Sequence, residues 1–214
     1  MKTLFINGSP KEKNSTTEKF ISYFTRYFNE DSYDILRLKQ SCFSYNVNKL
    51  KSYSNLIFIM PLYIHAMPGL VMKFFERLPV FNNNEIKVGF IIQYGFPEQM
   101  QASYLIRYFK NLSLRLNLSY IGTVLRGNAA GIQFMPDKKN QKLFNNLANL
   151  GSKFMQHGSF DVALCKEIAE SGEITGVKKA IMKFMYVLKL DDFLIKSVFS
   201  DKEAYNMRFN QPFS

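Results

Sequence analysis

The run Leu4-Phe5-Ile6-Asn7-Gly8-Ser9-Pro10, followed shortly by Ser15-Thr16-Thr17-Glu18, constrains this chain more than any other stretch. An apolar segment ends in a small-residue turn, and a cluster of hydroxyls then opens a helix. Ser15 and Glu18 stand at the spacing of a capping box, in which each side chain satisfies a backbone N–H of the other residue. A strand feeding a helix N-terminus is the start of a βα unit. Helix N-termini hold phosphate through free backbone N–H groups and the helix dipole. The first βα turn of the domain is therefore the first candidate site.

The rest of the chain continues this alternation. Residues 2–6 read as a buried strand and residues 15–28 as a helix, with Phe20, Ile21, Phe24 and Phe28 on one side. Further strands are predicted at 33–38, 55–60, 87–93 and 120–125. Helices are predicted at 46–53 (short), 69–78, 99–116 and 138–157, with Pro68 in the first turn of the second of these. Strands alternating with helices imply an α/β fold, a parallel sheet with helices on both faces. Right-handed crossovers leave few topologies, and five strands suit the doubly wound order 2-1-3-4-5. Ligands in such sheets bind beyond the carboxyl ends of the strands, which here are residues 7–17, 61–68 and 93–98. Three unusual loops are thus expected to meet in one place.

From Phe160 onward the pattern loosens. At 214 residues the chain is read as one domain, with residues 160–214 a C-terminal helical extension of it. Residues 175–190 are amphipathic, with Val177, Ile181, Phe184 and Leu188 on one stripe and Lys178, Lys179 and Lys183 beside it. Such a helix either lies on an anionic membrane or packs on the core or on a partner subunit, and the Asp191-Asp192 end favours packing.

Charge and cysteine content bound the partners. The net charge of +11 comes from 28 Lys and Arg spread along the whole chain, not from a clustered run. A scattered basic surface is mostly solvated, with an anionic cofactor or substrate accounting for the rest. No nucleic-acid partner is expected, and membrane contact is not expected. The two cysteines, Cys42 and Cys165, cannot build a disulfide framework and point to a reducing, cytoplasmic setting. The N-terminal apolar run is short and already assigned to a strand, so no signal peptide is expected. No stretch approaches about 18 uninterrupted apolar residues, so no membrane span is expected.

The three loops differ in what they offer. The first lacks both G-x-x-x-x-G-K-[ST] and G-x-G-x-x-G, since only Gly8 precedes the helix. That argues against nucleotide triphosphates and dinucleotides. Its hydroxyls (Ser9, Ser15, Thr16 and Thr17), with Lys11 and Lys13 nearby, suit a phosphate monoester; an ordinary capped βα turn has the same residues. In the second loop, Pro61-Leu62-Tyr63-Ile64-His65-Ala66-Met67-Pro68, two prolines stiffen a turn that presents an aromatic ring, which suits a planar ligand. Tyr63 could equally be a surface-packed aromatic. His65 has no Cys, Asp or Glu nearby and is not read as a metal ligand. In the third loop, Gln93-Tyr94-Gly95-Phe96-Pro97-Glu98, Gly95 permits either close approach to a ligand or a positive φ, or serves turn geometry alone.

Taken together, these stretches resemble one family. Gly8-Ser9-Pro10 with the Ser/Thr helix start, Pro61-Leu62-Tyr63 with Pro68 and residues 73–77, and Gly95-Phe96-Pro97-Glu98 look like the flavodoxin-like NAD(P)H-dependent FMN reductases. The resemblance covers about residues 1–157. It implies a flavodoxin-like three-layer sandwich that binds FMN non-covalently, uses NAD(P)H as co-substrate and forms a homodimer. By position, Ser9, Ser15, Thr16 and Thr17 match phosphate-binding residues. Pro61, Leu62, Tyr63 and Ile64 match the loop under the flavin ring, and Gln93, Tyr94 and Gly95 the loop at the ring edge. No catalytic side chain and no metal is implied, because the flavin carries the hydride chemistry to a quinone, flavin or nitro-aromatic acceptor.

This chain departs from relatives that carry several cysteines after the second strand. Only Cys42 lies there, with Tyr45 three residues on, so an iron–sulfur cluster is not expected. The segment between Leu38 and Asn55 is also short. A response-regulator receiver shares the topology but needs acidic residues where Asn7-Gly8 and Pro61 stand. A flavodoxin acting only as an electron carrier is an alternative, although such carriers are typically acidic. A non-enzymatic FMN-binding module is another.

Overall fold

The structure is a computed structural model. It describes residues 2–11, 13–39, 47–63, 65–81 and 85–174, together with Gly176, Ala180 and Phe184. By internal contacts the chain divides into two units, Met1–Glu173 and Ile174–Ser214, and the architecture below is that of the first. Ile64, Cys42 and Tyr45, nearly all of the amphipathic stretch 175–190, and the tail lie outside the described residues.

Five strands form one parallel sheet: β1 (Thr3–Asn7), β2 (Tyr33–Arg37), β3 (Asn55–Pro61), β4 (Lys87–Gln93) and β5 (Ser119–Arg126). Their order is β2-β1-β3-β4-β5, as expected. The order reverses between β1 and β3, which pair directly through Thr3↔Asn55 to Asn7↔Ile59. The helices are α1 (Thr16–Phe24), α2 (Gly69–Glu76), α3 (Tyr104–Arg115), α4 (Gln141–His157) and α5 (Val162–Glu170).

Strand alternation builds two cores. Leu4, Ile6, Phe58 and Phe90 face one side and pack with Val71 and Phe74 of α2 and Phe109 of α3. Phe5, Ile57, Ile91 and Val124 face the other and pack with Phe20 and Phe24 of α1, Leu147 of α4 and Ile168 of α5. Burial on both faces explains why β3 and β4 are continuous apolar runs with no polar alternation.

Helix ends depart from the sequence reading. α1 stops at Phe24, because Thr25 Oγ1 bonds back to the Ile21 carbonyl at 2.9 Å and the next N–H, of Arg26, bonds only three residues back, to Tyr23. Phe28 still packs on the core from beyond the helix. Pro68 is the N-cap of α2, one position before the first helical residue. Residues 99–101 and 137–140 form separate 3₁₀ turns ahead of α3 and α4, and residues 47–52 are a 3₁₀ helix.

The sequence reading made residues 160–214 a helical extension without placing a separate helix at residues 162–170, where α5 lies. This helix is N-capped by Asp161, whose Oδ1 accepts from Leu164 N at 2.9 Å, and it packs against β5. Phe160 anchors it by lying over the sheet. A Cβ at Gly89 would come within 2.8 Å of the Phe160 ring, and one at Gly122 within 3.0 Å of its Cβ. A register shift at Val88/Gly89 opposes Tyr120 and Gly122 to consecutive residues and leaves Ile121 as the extra residue.

Candidate functional site

The first loop leaves β1 at Asn7. Asn7 Oδ1 accepts from Ser9 N at 2.9 Å, and Ser9 Oγ accepts from Lys11 N at 3.2 Å, so side chains hold the turn. Gly8 N donates to the Ile59 carbonyl at 2.9 Å. A Cβ on Gly8 would lie 2.5 Å from Val71 Cγ2, so the close passage of the turn over α2 requires glycine. The capping box expected at α1 is present in both directions. Ser15 Oγ accepts from Glu18 N at 3.2 Å, and Glu18 Oε2 accepts from Ser15 N at 3.3 Å. The backbone N–H groups of Thr16 and Thr17, at the first two helical positions, have no partner within the helix.

The second loop is tied down at several points. Leu62 N donates to the Gln93 carbonyl at 2.8 Å. Tyr63 and Ala66 exchange two backbone hydrogen bonds of 2.9 Å, a turn that puts His65 at φ 60. The Tyr104 hydroxyl of α3 bonds the His65 carbonyl. Tyr63 remains half exposed.

The third loop is fastened to a segment that the sequence reading did not include. Tyr94 N donates to the Arg126 carbonyl at 3.0 Å, Ala129 N to the Tyr94 carbonyl at 2.9 Å, and Asn128 N to the Phe96 carbonyl at 2.9 Å. Gly95 does not have a positive φ, and a Cβ there would meet only Ala130 at an ordinary 3.6 Å. Of the roles considered for Gly95, a positive φ is therefore excluded.

These loops surround a cleft of about 380 Å³, within the range of small-molecule sites. It brings together Ser9, Ser15 and Thr16 from the first loop, Pro61, Leu62 and Tyr63 from the second, and Gln93, Tyr94 and Gly95 from the third. Thr17 does not line it. Thr17 is fully buried, and its Oγ1 accepts from Gln93 Nε2 at 2.7 Å. The segment after β5 adds Ala129, Ala130 and Gln133, and Lys11 reaches across to donate to Gln133 Oε1 at 2.8 Å. Gly127-Asn128-Ala129-Ala130-Gly131 is a small-residue loop at the carboxyl end of a strand. The rule that pointed to the other three loops applies to it equally.

The lining of the cleft combines polar and apolar groups. Lys11 is its one charged lining residue among the described residues. Gln93 is 5% exposed and its Oε1 has no partner; the buried Tyr94 hydroxyl also has none. Burial, with Glu173 adding to it, pushes the Tyr94 phenol up to about 12. Behind Tyr94, the Arg126 guanidinium is 6% exposed. It donates to Ser171 Oγ at 2.8 Å and the Ile168 carbonyl at 3.4 Å, and its Nε is unpaired. Burial pulls Arg126 down to about 10, which leaves it charged at neutral pH. Among the described residues no nucleophile–base pair lines the cleft, and His65 is not part of the lining. Among the described residues, no group of three or more His, Cys, Asp or Glu could hold a metal, and no helix is long and apolar enough to cross a membrane. The arrangement can bind and orient a ligand with an anionic end and an apolar body.

No family model matches the sequence, and no curated protein matches it. Solved structures do match. General stress protein 14 from Treponema denticola, in complex with FMN, has a TM-score of 0.56 at 14% identity, over 73% of this chain and 98% of that one. An NADPH-quinone reductase from P. pentosaceus has a TM-score of 0.54 at 18% identity, over 69% and 96%. Oxidised flavodoxin 1 from Bacillus cereus has a TM-score of 0.50 at 12% identity, over 73% and 99%. Strand order, layering and these likenesses agree: the chain has the flavodoxin-like fold, with its cleft at the carboxyl ends of the strands.

Proposed function

We propose that this chain is an FMN-dependent NAD(P)H oxidoreductase that passes hydride through bound FMN to a quinone, flavin or nitro-aromatic acceptor. The observation that carries the reading is the meeting of three loops in one cleft, whose lining joins hydroxyls beside a helix N-terminus with proline, leucine and tyrosine. The unpaired, buried Gln93 Oε1 is a further fit, because a buried acceptor without a partner calls for a donor on a ligand. FMN, when bound, supplies two-electron transfer between the nicotinamide and the acceptor.

The protein's part is to hold and orient. The hydroxyls of Ser9, Ser15 and Thr16 and the N–H group of Thr16 would hold the phosphate, with Lys11 adding charge. Pro61, Leu62 and Tyr63 would support the ring, and Gln93, Tyr94 and Gly95 would meet its edge. Ile64 belongs to the same reading by position. No side chain in the cleft needs to act as acid or base. The half-exposed Tyr63 borders an opening through which a second substrate could reach the ring.

The test is the absorbance spectrum of the purified protein with FMN, before and after anaerobic NADH or NADPH. Stoichiometric FMN uptake followed by bleaching is expected. Failure to take up FMN at micromolar concentration overturns the flavin reading. Uptake without bleaching by either nucleotide replaces the reductase by an electron carrier or a non-enzymatic FMN-binding module.

A further inference from the structure

The cap that starts α1 also puts a negative charge beside Ser15, next to the end of the cleft where an anion would be held. Glu18 Oε2 lies 3.3 Å from the backbone N of Ser15, and Ser15 lines the cleft. A carboxylate in the first turn steadies the helix dipole but repels a phosphate at the same helix end. The other oxygen, Oε1, is ion-paired with Arg37, the last residue of β2. β2 is the edge strand beside β1, so the pair sits at the carboxyl end of the strand next to the phosphate-loop strand. Neither Arg37 nor Glu18 lines the cleft; both line a separate cavity against α1 and β2, and Glu18 meets the cleft only through its bond to the Ser15 N–H. With the pair intact, Glu18 is neutralised, and Lys11 is the charged residue lining the cleft among the described residues. Without Arg37, Glu18 and Lys11 oppose each other. The unpaired Gln93 Oε1 in the same cleft independently points to a ligand there.

We propose that Arg37 is a positioning residue that sets the preference of the cleft for a phosphate-bearing over a phosphate-free ligand, by neutralising Glu18. This rests on the flavin reading above. The cap needs Glu18 as a hydrogen-bond acceptor, which glutamine also supplies, and does not need its charge. Arg37 separates the two roles: the side chain keeps its capping bonds while its charge is cancelled.

The experiment compares FMN with riboflavin, each titrated by flavin fluorescence against the wild type, Arg37→Gln, Glu18→Gln and the double variant. By Coulomb's law across a few ångströms of well-solvated surface, Arg37→Gln is expected to weaken FMN roughly fivefold at low salt. Riboflavin should be unchanged. Glu18→Gln alone should tighten FMN, and the double variant should return it to the wild-type value. Glu18→Gln keeps the capping box, so it tests the charge even if Arg37→Gln folds poorly. Equal losses of FMN and riboflavin in Arg37→Gln, or no rescue in the double variant, would overturn the proposal. A wild type that binds neither flavin would instead overturn the flavin reading, and one that binds both equally would overturn the phosphate assignment.

Discussion

Gln93 Nε2 donates a 2.7 Å hydrogen bond to Thr17 Oγ1, and so joins the last residue of β4 to the first turn of α1. Both residues are buried, and the other end of the Gln93 amide is unpaired. One bond therefore holds the two polar walls of the cleft in register.

Thr17→Val keeps the volume and removes the acceptor. It should destabilise the protein by about 1–3 kcal/mol, because the Gln93 amide is then unpaired at both ends in a buried site. Thr17→Ser should cost little. Urea unfolding measures both. FMN affinity should fall in the valine variant alone, as Gln93 loses its orientation.

The phosphate assignment has its own test. Ser9→Ala with Thr16→Ala should weaken FMN by roughly tenfold or more, the scale of hydrogen bonds to a charged group, and leave riboflavin nearly unchanged. Equal losses for both ligands would show that the phosphate is held elsewhere.

Gly151 sits where α4 crosses α1. A Cβ there would lie 1.9 Å from the Phe24 carbonyl oxygen, which is backbone and cannot swing away. Gly151→Ala should therefore cost about 3 kcal/mol, the upper end of overpacking penalties, by forcing the helices apart. A thermal melt of this variant should show a clear loss. An unchanged melt would mean that the helices cross less closely than described.

Cys165 yields a pH dependence. Burial first, and then the charge of Asp161, push its thiol from 9.0 up to about 12. The folded protein thus keeps a proton that the unfolded chain has lost. Stability from this group is fully present below about pH 9 and is lost as pH rises toward about 12. Urea midpoints at about pH 7 and about pH 10 should diverge more for the wild type than for Cys165→Ala. The same shift keeps the native thiol protonated and slow to alkylate at neutral pH.

Local signals were legible wherever a segment's neighbours in sequence decide its state. The Ser15–Glu18 spacing marked the start of α1, and both of its hydrogen bonds are formed. The apolar runs of β3 and β4 marked strands buried on both faces, and β4 spans the expected residues. From strand–helix alternation and chain handedness came the order β2-β1-β3-β4-β5, and with it the end of the sheet where Ser9, Tyr63 and Tyr94 gather.

What the tertiary structure alone decided depends on contacts distant in sequence. Thr17 reads as one more hydroxyl of the phosphate loop, but its partner, Gln93, is 76 residues away and turns it into a brace behind the cleft. The segment after β5 became a wall of the site because its N–H groups complete the third loop and Gln133 meets Lys11. Gly89 and Gly122 are the seat for Phe160, which carries α5 onto the sheet, and nothing local in the sequence marks them for it. Arg126, at the end of β5, carries no local signal of burial, yet it is buried behind Tyr94 and bonds the Ile168 carbonyl of the helix that Phe160 anchors. Hydrophobic period and capping act over a few residues and show in the sequence, whereas burial of a side chain depends on which distant surface the chain brings against it.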